Sequence, residues 1–144
     1  MKMLFKPTIL IAFMAVISFN TFAQSKYSVT VTVKGIQQRT GKILATISND
    51  ENNFPQGRGV KSATAEVTKE GEVYLKFEGI LEGKYAIVLY QDLNGDNKLD
   101  MSGQMPAEPF GFSNLTMLMG PPNFEQCAFD LNENKNITIG LFSF

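Results

Sequence analysis

The sequence contains no histidine and no tryptophan, and Cys127 is its single cysteine. Without histidine, the chain cannot form a Ser-His-Asp or Cys-His catalytic group or the usual zinc sites. A lone cysteine excludes an internal disulfide, so the fold must depend on packing or on a bound ion. Tyr85 and Tyr90 are alternatives for stacking on a sugar, but their positions in an alternating pattern predict ordinary strand residues.

Long hydrophobic runs are also scarce. One 12-residue apolar run, Thr8 to Phe19, follows Lys2 and Lys6. It is too short to span a bilayer, which needs about 20 residues. Small residues around Ala23 follow it, and this order predicts a signal peptide, residues 1–23, that is cleaved after Ala23. Residues 24–144 then form one exported domain, most simply in the periplasm, with the cell surface or the medium as alternatives.

Positive charge is scarce once this leader is removed. Without Lys2 and Lys6, 11 basic residues face 14 acidic ones, so the net charge is −3. A mildly acidic domain is a poor candidate for binding nucleic acid or an anionic membrane. Residues 92–123 contain four acids and a single base, Lys98, so this segment alone carries −3.

Helical periodicity is absent after residue 24, and alternation of apolar with polar residues replaces it. Residues 84–91 are apolar at both alternating positions, which predicts a central strand covered on both faces, whereas residues 63–68 suggest an edge strand. About seven such strands predict an all-β fold, a single antiparallel β-sandwich of immunoglobulin-like or transthyretin-like type. A small barrel is the alternative. The predicted strands lie near residues 27–34, 42–48, 63–68, 73–77, 84–91, 127–131 and 136–142.

Residues 92–123 are too long for a hairpin connection, because loops beyond about 12–15 residues are usually functional or disordered. Their apolar composition favours order. We expect a flap that folds over the end of the sandwich and is stiffened by prolines. Its apolar residues are Phe110, Phe112, Leu115, Met117, Leu118 and Met119, and its prolines are Pro106, Pro109, Pro121 and Pro122.

Oxygen-bearing residues alternate at the start of this segment, which suggests a calcium loop. Calcium takes six to eight oxygen ligands, and a chain that winds tightly around an ion turns every second residue inward. If Asp92 is position 1, four further ligands follow in the spacing of the first half of an EF-hand-like loop. They are Asn94, Asp96, the carbonyl of Lys98 and Asp100.

Two positions depart from that pattern. Asn97 replaces the glycine expected at position 6, although asparagine tolerates the left-handed conformation required there. Gly103 replaces the glutamate at position 12, so the remaining ligands must come from Glu108 or, through space, from Asp50 and Glu51. The alternative is a polar turn without a metal, because Asn-Gly pairs and aspartates favour turns by themselves.

Three stretches in the same order resemble a known family. Residues 77–86 contain G-x-Y-A and run into residues 91–100, which are similar to an H-D-x-N-x-N-x-K-x-D loop. Residues 106–114 and 122–129 resemble two later signatures of the same family. On these motifs the chain resembles the domain-of-unknown-function 2141 family of exported bacterial proteins, and the resemblance covers nearly all of residues 24–144.

The resemblance implies a secreted β-sandwich without an assigned activity. It also implies that Glu108 accompanies the acidic loop, as an additional ligand or as an anchor for the flap. Gln91 stands where the family often has histidine, which puts any role of that histidine in doubt here.

The sequence therefore predicts a non-catalytic binding or structural accessory module of the bacterial cell envelope. Its expected partner is an envelope protein or glycan, and we expect no membrane insertion after signal cleavage. One alternative is a carbohydrate- or protein-binding module that uses the flap as its contact surface. Another is a small hydrolase that uses Asp92, Asp96, Asp100 and Glu108 as an acid/base cluster.

Overall fold

Ten strands and one short helix make up the regular structure of residues 23–144, the part of the chain that the computed structural model describes. The predicted leader therefore lies outside the described residues apart from Ala23. No helix in residues 23–144 is long and apolar enough to cross a membrane. The elements are β1 (Lys26–Lys34), β2 (Lys42–Ser48), β3 (Lys61–Glu66), β4 (Val73–Leu81), β5 (Gly83–Asp92), β6 (Met101–Ser102), β7 (Met105–Pro106), β8 (Phe110–Phe112), α1 (Phe124–Cys127), β9 (Phe129–Leu131) and β10 (Lys135–Gly140).

Two sheets form the predicted all-β sandwich. One has the order β10-β1-β4, and the other has the order β3-β2-β5-β8, with β9 pairing with the first residues of β5. β3 is an edge strand, as its short pattern predicted. The pairs are antiparallel except that β1 and β10 run parallel, which corrects the purely antiparallel expectation.

The main core lies between the sheets because period-two alternation places one face of each strand inward. Val31, Phe77 and Leu89 are fully buried there, as are Ile43 and Ile47 of β2. Each such side chain contributes roughly 1.5–3 kcal/mol relative to exposure. The sequence pattern predicted this layer correctly.

A second apolar cluster covers the outer face of β5. Ala86 belongs to it together with Phe110, Phe112, Phe124 and Cys127. β5 is thus covered on both faces, as its sequence predicted. Residues 92–128 supply most of this outer layer. Phe110, Phe112, Leu115 and Leu118 lie in it or against it, so the expectation that they fold over the end of the sandwich is wrong.

Two details of the expected strands also differ. Phe110 and Phe112 belong to β8, which pairs with Val88 and Tyr90 of β5. Cys127 is not part of a strand but ends α1, because Asn123 caps that helix and exchanges hydrogen bonds with Gln126. The strand expected at residues 127–131 is therefore β9, which begins at Phe129.

Candidate functional site

The acidic loop begins at the last residue of the central strand. Asp92 has no exposed surface, and its two carboxylate oxygens accept hydrogen bonds from the backbone N–H groups of Gly95 (2.7 Å) and Asn97 (2.9 Å). A carboxylate that accepts several N–H groups fixes the path of the chain around itself. Asp92 therefore organises the loop from its buried end.

Two further side chains continue this winding. Asn94 Oδ1 accepts the N–H of Asp96 at 3.0 Å, and Asp96 Oδ1 accepts the N–H of Lys98 at 2.9 Å. These are the bonds by which asparagine and aspartate stabilise turns two residues on. Asn97 has a φ of 63°, so the position expected to be left-handed is left-handed.

Glu108 closes the loop from the other side. It is 5% exposed, and its Oε1 accepts the N–H of Leu93 at 2.8 Å while Oε2 accepts the N–H of Asp100 at 3.1 Å. The N–H of Ala107 also donates to the carbonyl of Asp100 at 2.8 Å. One carboxylate thus joins both ends of the loop to the residues that precede β8, which is the geometry of an anchor.

The charges around Asp92 favour its ionised form. Burial by itself raises the pKa of the Asp92 carboxyl, but the N–H groups of Asn97 and Gly95 and the ammonium of Lys42 outweigh burial and lower the pKa below its usual value. Lys42 Nζ lies 3.8 Å from Asp92 Oδ2. The carboxylate is therefore held as an anion by hydrogen bonds more than by a close ion pair.

Sequence reasoning missed two residues that shape this loop. The Tyr90 hydroxyl donates to the carbonyl of Asn97 at 2.7 Å, and burial, followed by the negative charges of Asp92 and Glu108, raises the pKa of Tyr90. Gly41 has a φ of 72°, and a Cβ atom there would lie 2.1 Å from the carbonyl oxygen of Asp92. Only glycine fits that approach, and the turn-like sequence around Gly41 was its only signal.

The structure brings some of the predicted ligands together and not others. Asn94 Nδ2 donates to Asp100 Oδ2 at 2.6 Å, while Asp96 and Lys98 are exposed at the tip of the loop. Within residues 23–144, no three acidic, histidine or cysteine side chains come close enough together to hold a metal ion. The loop is held by its own hydrogen bonds in this conformation.

Asp50 and Glu51 do not belong to the same site. The register places Lys42 opposite Asp92 and Ser48 opposite Ala86, so residues 49–60 follow β2 at the other end of the sheet. Seven residues of strand separate the two ends by about 20 Å. Asp50 instead accepts the backbone N–H groups of Asn52 and Asn53, both at 3.2 Å. The expectation that these acids approach the loop is wrong.

Gln91 and Cys127 are both buried, and their surroundings indicate a structural role. The amide nitrogen of Gln91, which is fully buried, donates to the carbonyls of Gln38 and Thr40, both at 2.7 Å, while its Oε1 has no partner among the described protein atoms. Cys127 is also fully buried, and burial raises the pKa of its thiol to about 11. A thiol with that pKa is protonated at neutral pH and is a poor nucleophile.

The two tyrosines considered for sugar stacking are strand residues, as expected. Tyr85 is 5% exposed and packs in the main core. Tyr90 packs against the outer cluster. A depression of about 800 Å³ runs along β10 between Asn136 and the loop at Asn114, and no acidic residue lines it.

One family model matches most of the chain, including the acidic loop and Glu108. Residues 31–139 match the family described as "Uncharacterized protein conserved in bacteria (DUF2141)". The chain belongs to this family. The resemblance drawn from the acidic loop and the two later motifs is therefore confirmed, and both the loop and Glu108 of this DUF2141 protein lie inside the matched range.

Other comparisons add little to the family assignment. No curated protein matches the chain. Among solved structures, a pilus-presented adhesin matches with 11% sequence identity and a TM-score of 0.33, over 83% of this chain and 27% of the adhesin chain. The DUF2141 protein thus spans about a quarter of that adhesin's length, and a similarity this low supports no argument about its function.

Proposed function

We propose that this DUF2141 protein is a non-catalytic binding or structural module of the bacterial cell envelope, exported to the periplasm, with an envelope protein or glycan as its partner. The observation that carries the proposal is the bridging position of Glu108, whose two oxygens accept the N–H groups of Leu93 and Asp100. A carboxylate with both oxygens bound to backbone donors is a structural anchor rather than a free acid or base.

Asp92 and Cys127 support the same interpretation. Asp92 is buried beneath its own loop and holds two N–H groups. Cys127 is buried and has no histidine to activate it, because the sequence contains none. General acid–base catalysis needs a titratable group within reach of a substrate, at about 2.6–3.2 Å. Asp92, Glu108 and Cys127 do not offer that access.

We also propose that the acidic loop binds calcium. The ligands would be Asp92, Asn94, Asp96, the Lys98 carbonyl and Asp100, with Glu108 holding the loop closed or adding an oxygen. A carboxylate oxygen has two lone pairs, so the oxygens of Asp92 retain acceptor capacity beside their N–H bonds. Oxygen donors of this kind are those that calcium prefers.

Binding requires a local rearrangement. The amide nitrogen of Asn94 lies against the Asp100 carboxylate, where a cation between these two residues would have to lie. Rotation of the Asn94 side chain presents its oxygen instead, and Asp96 must turn from the exposed tip of the loop toward the ion. Because the loop has to reorganise, we expect an affinity of about 10⁻⁴–10⁻³ M, the range of extracellular calcium modules.

A melting curve of the purified protein tests the calcium proposal. At a calcium concentration about ten times the dissociation constant, binding adds about 1.4 kcal/mol to the free energy of unfolding. The melting temperature should therefore rise by roughly 4–8 °C relative to the same protein in EDTA. Magnesium should give a smaller rise, because it demands closer octahedral geometry and loses its water reluctantly.

Two matched variants test whether the calcium-dependent rise in melting temperature comes from the acidic loop. Asp96→Asn keeps an oxygen that accepts the N–H of Lys98 but removes one negative charge, so it should lose most of the calcium response. Asp130→Asn removes an exposed charge from β9 and should respond as the wild type does. Equal melting temperatures in calcium and EDTA would contradict the calcium site. A turnover that Asp96→Ala abolishes without lowering the melting temperature would contradict the non-catalytic assignment.

A further inference from the structure

Asn94 and Gly95 form the only Asn-Gly pair in the chain, and both residues are exposed in the acidic loop. Glycine has no side chain that could shield its backbone nitrogen from the side chain before it. A Cβ atom at Gly95 would have no neighbour within 4 Å, so the space around this nitrogen is open. The pair therefore has the chemistry of a modification site, and the surrounding loop decides when it can react.

The reaction is loss of ammonia from the side chain of Asn94. The backbone nitrogen of Gly95 gives up its proton and bonds to Cγ of Asn94, the bond from Cγ to Nδ2 breaks, and ammonia leaves with that proton. Water then opens the resulting cyclic succinimide at either carbonyl. The products are aspartate and isoaspartate, in which the main chain runs through the former side-chain carbon. The net change consumes one water and releases one ammonia, and it needs no oxidant or cofactor.

The closed loop holds every group that takes part in this reaction. The N–H of Gly95 donates to Asp92 Oδ1 at 2.7 Å, and a hydrogen bond to an anionic carboxylate favours the protonated nitrogen. Asn94 Oδ1 accepts the N–H of Asp96 at 3.0 Å, and its Nδ2 donates to Asp100 Oδ2 at 2.6 Å. Ring closure requires the amide of Asn94 to turn onto a free nitrogen of Gly95, so all three hydrogen bonds must break first.

We propose that Asn94 is a deamidation site that reacts only when the acidic loop opens. Local opening releases the three hydrogen bonds without unfolding the sandwich. Glu108 controls this opening, because its two oxygens accept the N–H groups of Leu93 and Asp100 and so close the loop at both ends. The proposal does not rest on the calcium site, since the bonds that restrain Asn94 involve protein atoms alone.

Deamidation changes the loop permanently. Nδ2 of Asn94 is the donor that faces the Asp100 carboxylate, and an acid at this position replaces that attraction by repulsion between two negative charges. Isoaspartate also lengthens the main chain by one carbon. This shifts the N–H groups of Gly95 and Asn97 relative to the Asp92 carboxylate that accepts them. Neither product reverts to asparagine, so a loop that has reacted closes less tightly from then on.

Peptide mass spectrometry of the protein after incubation in mildly alkaline buffer with EDTA tests the site. A synthetic peptide of residues 90–100, which has no fold to restrain it, gives the unprotected rate. Asn94 of the wild type should react far more slowly than the peptide. Glu108→Gln should accelerate the reaction about tenfold, which corresponds to about 1.4 kcal/mol of lost loop closure. Glu125→Gln, which removes an exposed charge, should react at the wild-type rate.

One further variant separates opening of the loop from unfolding of the whole domain. Ile47→Val weakens the main core at the other end of β2 and leaves the loop intact, so it should react at the wild-type rate. Equal acceleration in Ile47→Val and Glu108→Gln would overturn the proposed gating by the loop. Reaction of the wild type as fast as the peptide would overturn it as well, and so would equal rates in the wild type and Glu108→Gln.

The consequence for the loop is tested with Asn94→Asp, which has the same side chain as one of the two products. In EDTA this variant should melt several degrees below the wild type, because it places a second carboxylate against Asp100. Asn132→Asp adds the same charge at an exposed position in the turn before β10 and should melt as the wild type does. Equal melting temperatures for Asn94→Asp and the wild type would show that the reacted loop closes normally and would overturn this consequence.

Discussion

The two faces of β5 are covered in different ways. On the inner face, strands of regular alternation pack Ile87 and Leu89 against the opposite sheet. On the outer face, residues 92–128 form an irregular layer of short strands, one helical turn and the acidic loop. The inner layer repeats long ladders and apolar contacts, whereas the outer layer is attached by the three-residue ladder of β8 with β5, by the outer apolar cluster and by a few polar side chains. Its attachment therefore depends on individual residues.

Ser113 illustrates such a tie. Its hydroxyl accepts the N–H of Ile87 at 2.8 Å and donates to the carbonyl of Cys127 at 2.6 Å, so one buried side chain joins β5 to the end of α1. Asn114 has a φ of 56° and donates from its side chain to the carbonyl of Ala128. Ser113 and Asn114 thus add polar ties to the ladder of β8 with β5, and Glu108 joins the acidic loop to the segment before β8.

Removal of one large side chain from each layer has the largest expected effect on the free energy of unfolding and compares the two layers directly. Phe77→Ala opens a cavity in the main core and should lower the free energy of unfolding by about 3–5 kcal/mol. Phe112→Ala, in the outer cluster, should cost less, because the outer layer can open while the sandwich remains folded. Urea unfolding measures both. Equal losses would mean that the two layers unfold as one unit.

Substitution of Glu108, which anchors the acidic loop, has the next largest expected effect on the free energy of unfolding. Glu108→Gln leaves one oxygen acceptor for two N–H groups, so it should lower the free energy of unfolding by about 1.5–3 kcal/mol, as expected for a lost hydrogen bond to a charged group. Glu125 is the control, since its carboxylate forms an exposed ion pair with Lys84 at 2.6 Å. Glu125→Gln should cost about 0.2–1 kcal/mol. A smaller loss for Glu108→Gln than for Glu125→Gln would contradict the anchoring role.

Much of the inner layer could be predicted from the sequence. Alternation at Val29, Val31 and Val33 fixed the buried face of β1, and the doubly apolar pattern of residues 84–91 identified the central strand. The same local reasoning predicted the left-handed conformation of Asn97. These features depend on neighbouring residues along the chain, which is the information that a single sequence contains.

The outer layer was harder to predict because its determinants are not local. All three residues of β8 are buried, so Phe110–Phe112 shows no alternation and resembled part of a lid. The capping pair Asn123 and Gln126 was the available signal for α1, and it lies between the long segment 92–123 and the strand expected from residue 127. Nothing in the local sequence indicated that Gly41 contacts Asp92 across the sheet.

A pH titration tests how much the buried carboxylate of Asp92 contributes to stability. The pKa of Asp92 is lowered in the folded protein, so its contribution is present above the unfolded-state value of about 3.9 and is lost as the pH falls through the folded value. The melting temperature of the wild type should therefore fall more steeply below about pH 4 than that of Asp92→Asn. Asp130→Asn should follow the wild type. Parallel curves for wild type and Asp92→Asn would contradict this contribution.

The smallest effect concerns Cys127, which lies beneath the outer layer. Because the thiol is buried and its pKa is raised to about 11, it should react with a thiol reagent only when that layer opens. Glu108→Gln should speed the labelling, and Glu125→Gln should not. Labelling of the wild type at the rate of a free thiol would mean that Cys127 is accessible in the folded state.

Amide hydrogen exchange of Glu108→Gln tests the central claim, that one buried carboxylate fastens the acidic loop to the segment that leads into β8. The account predicts faster exchange in residues 93–100 and in β8, while β1 and β4 keep wild-type protection. Equal loss of protection in all four regions, or no change in β8, would contradict it.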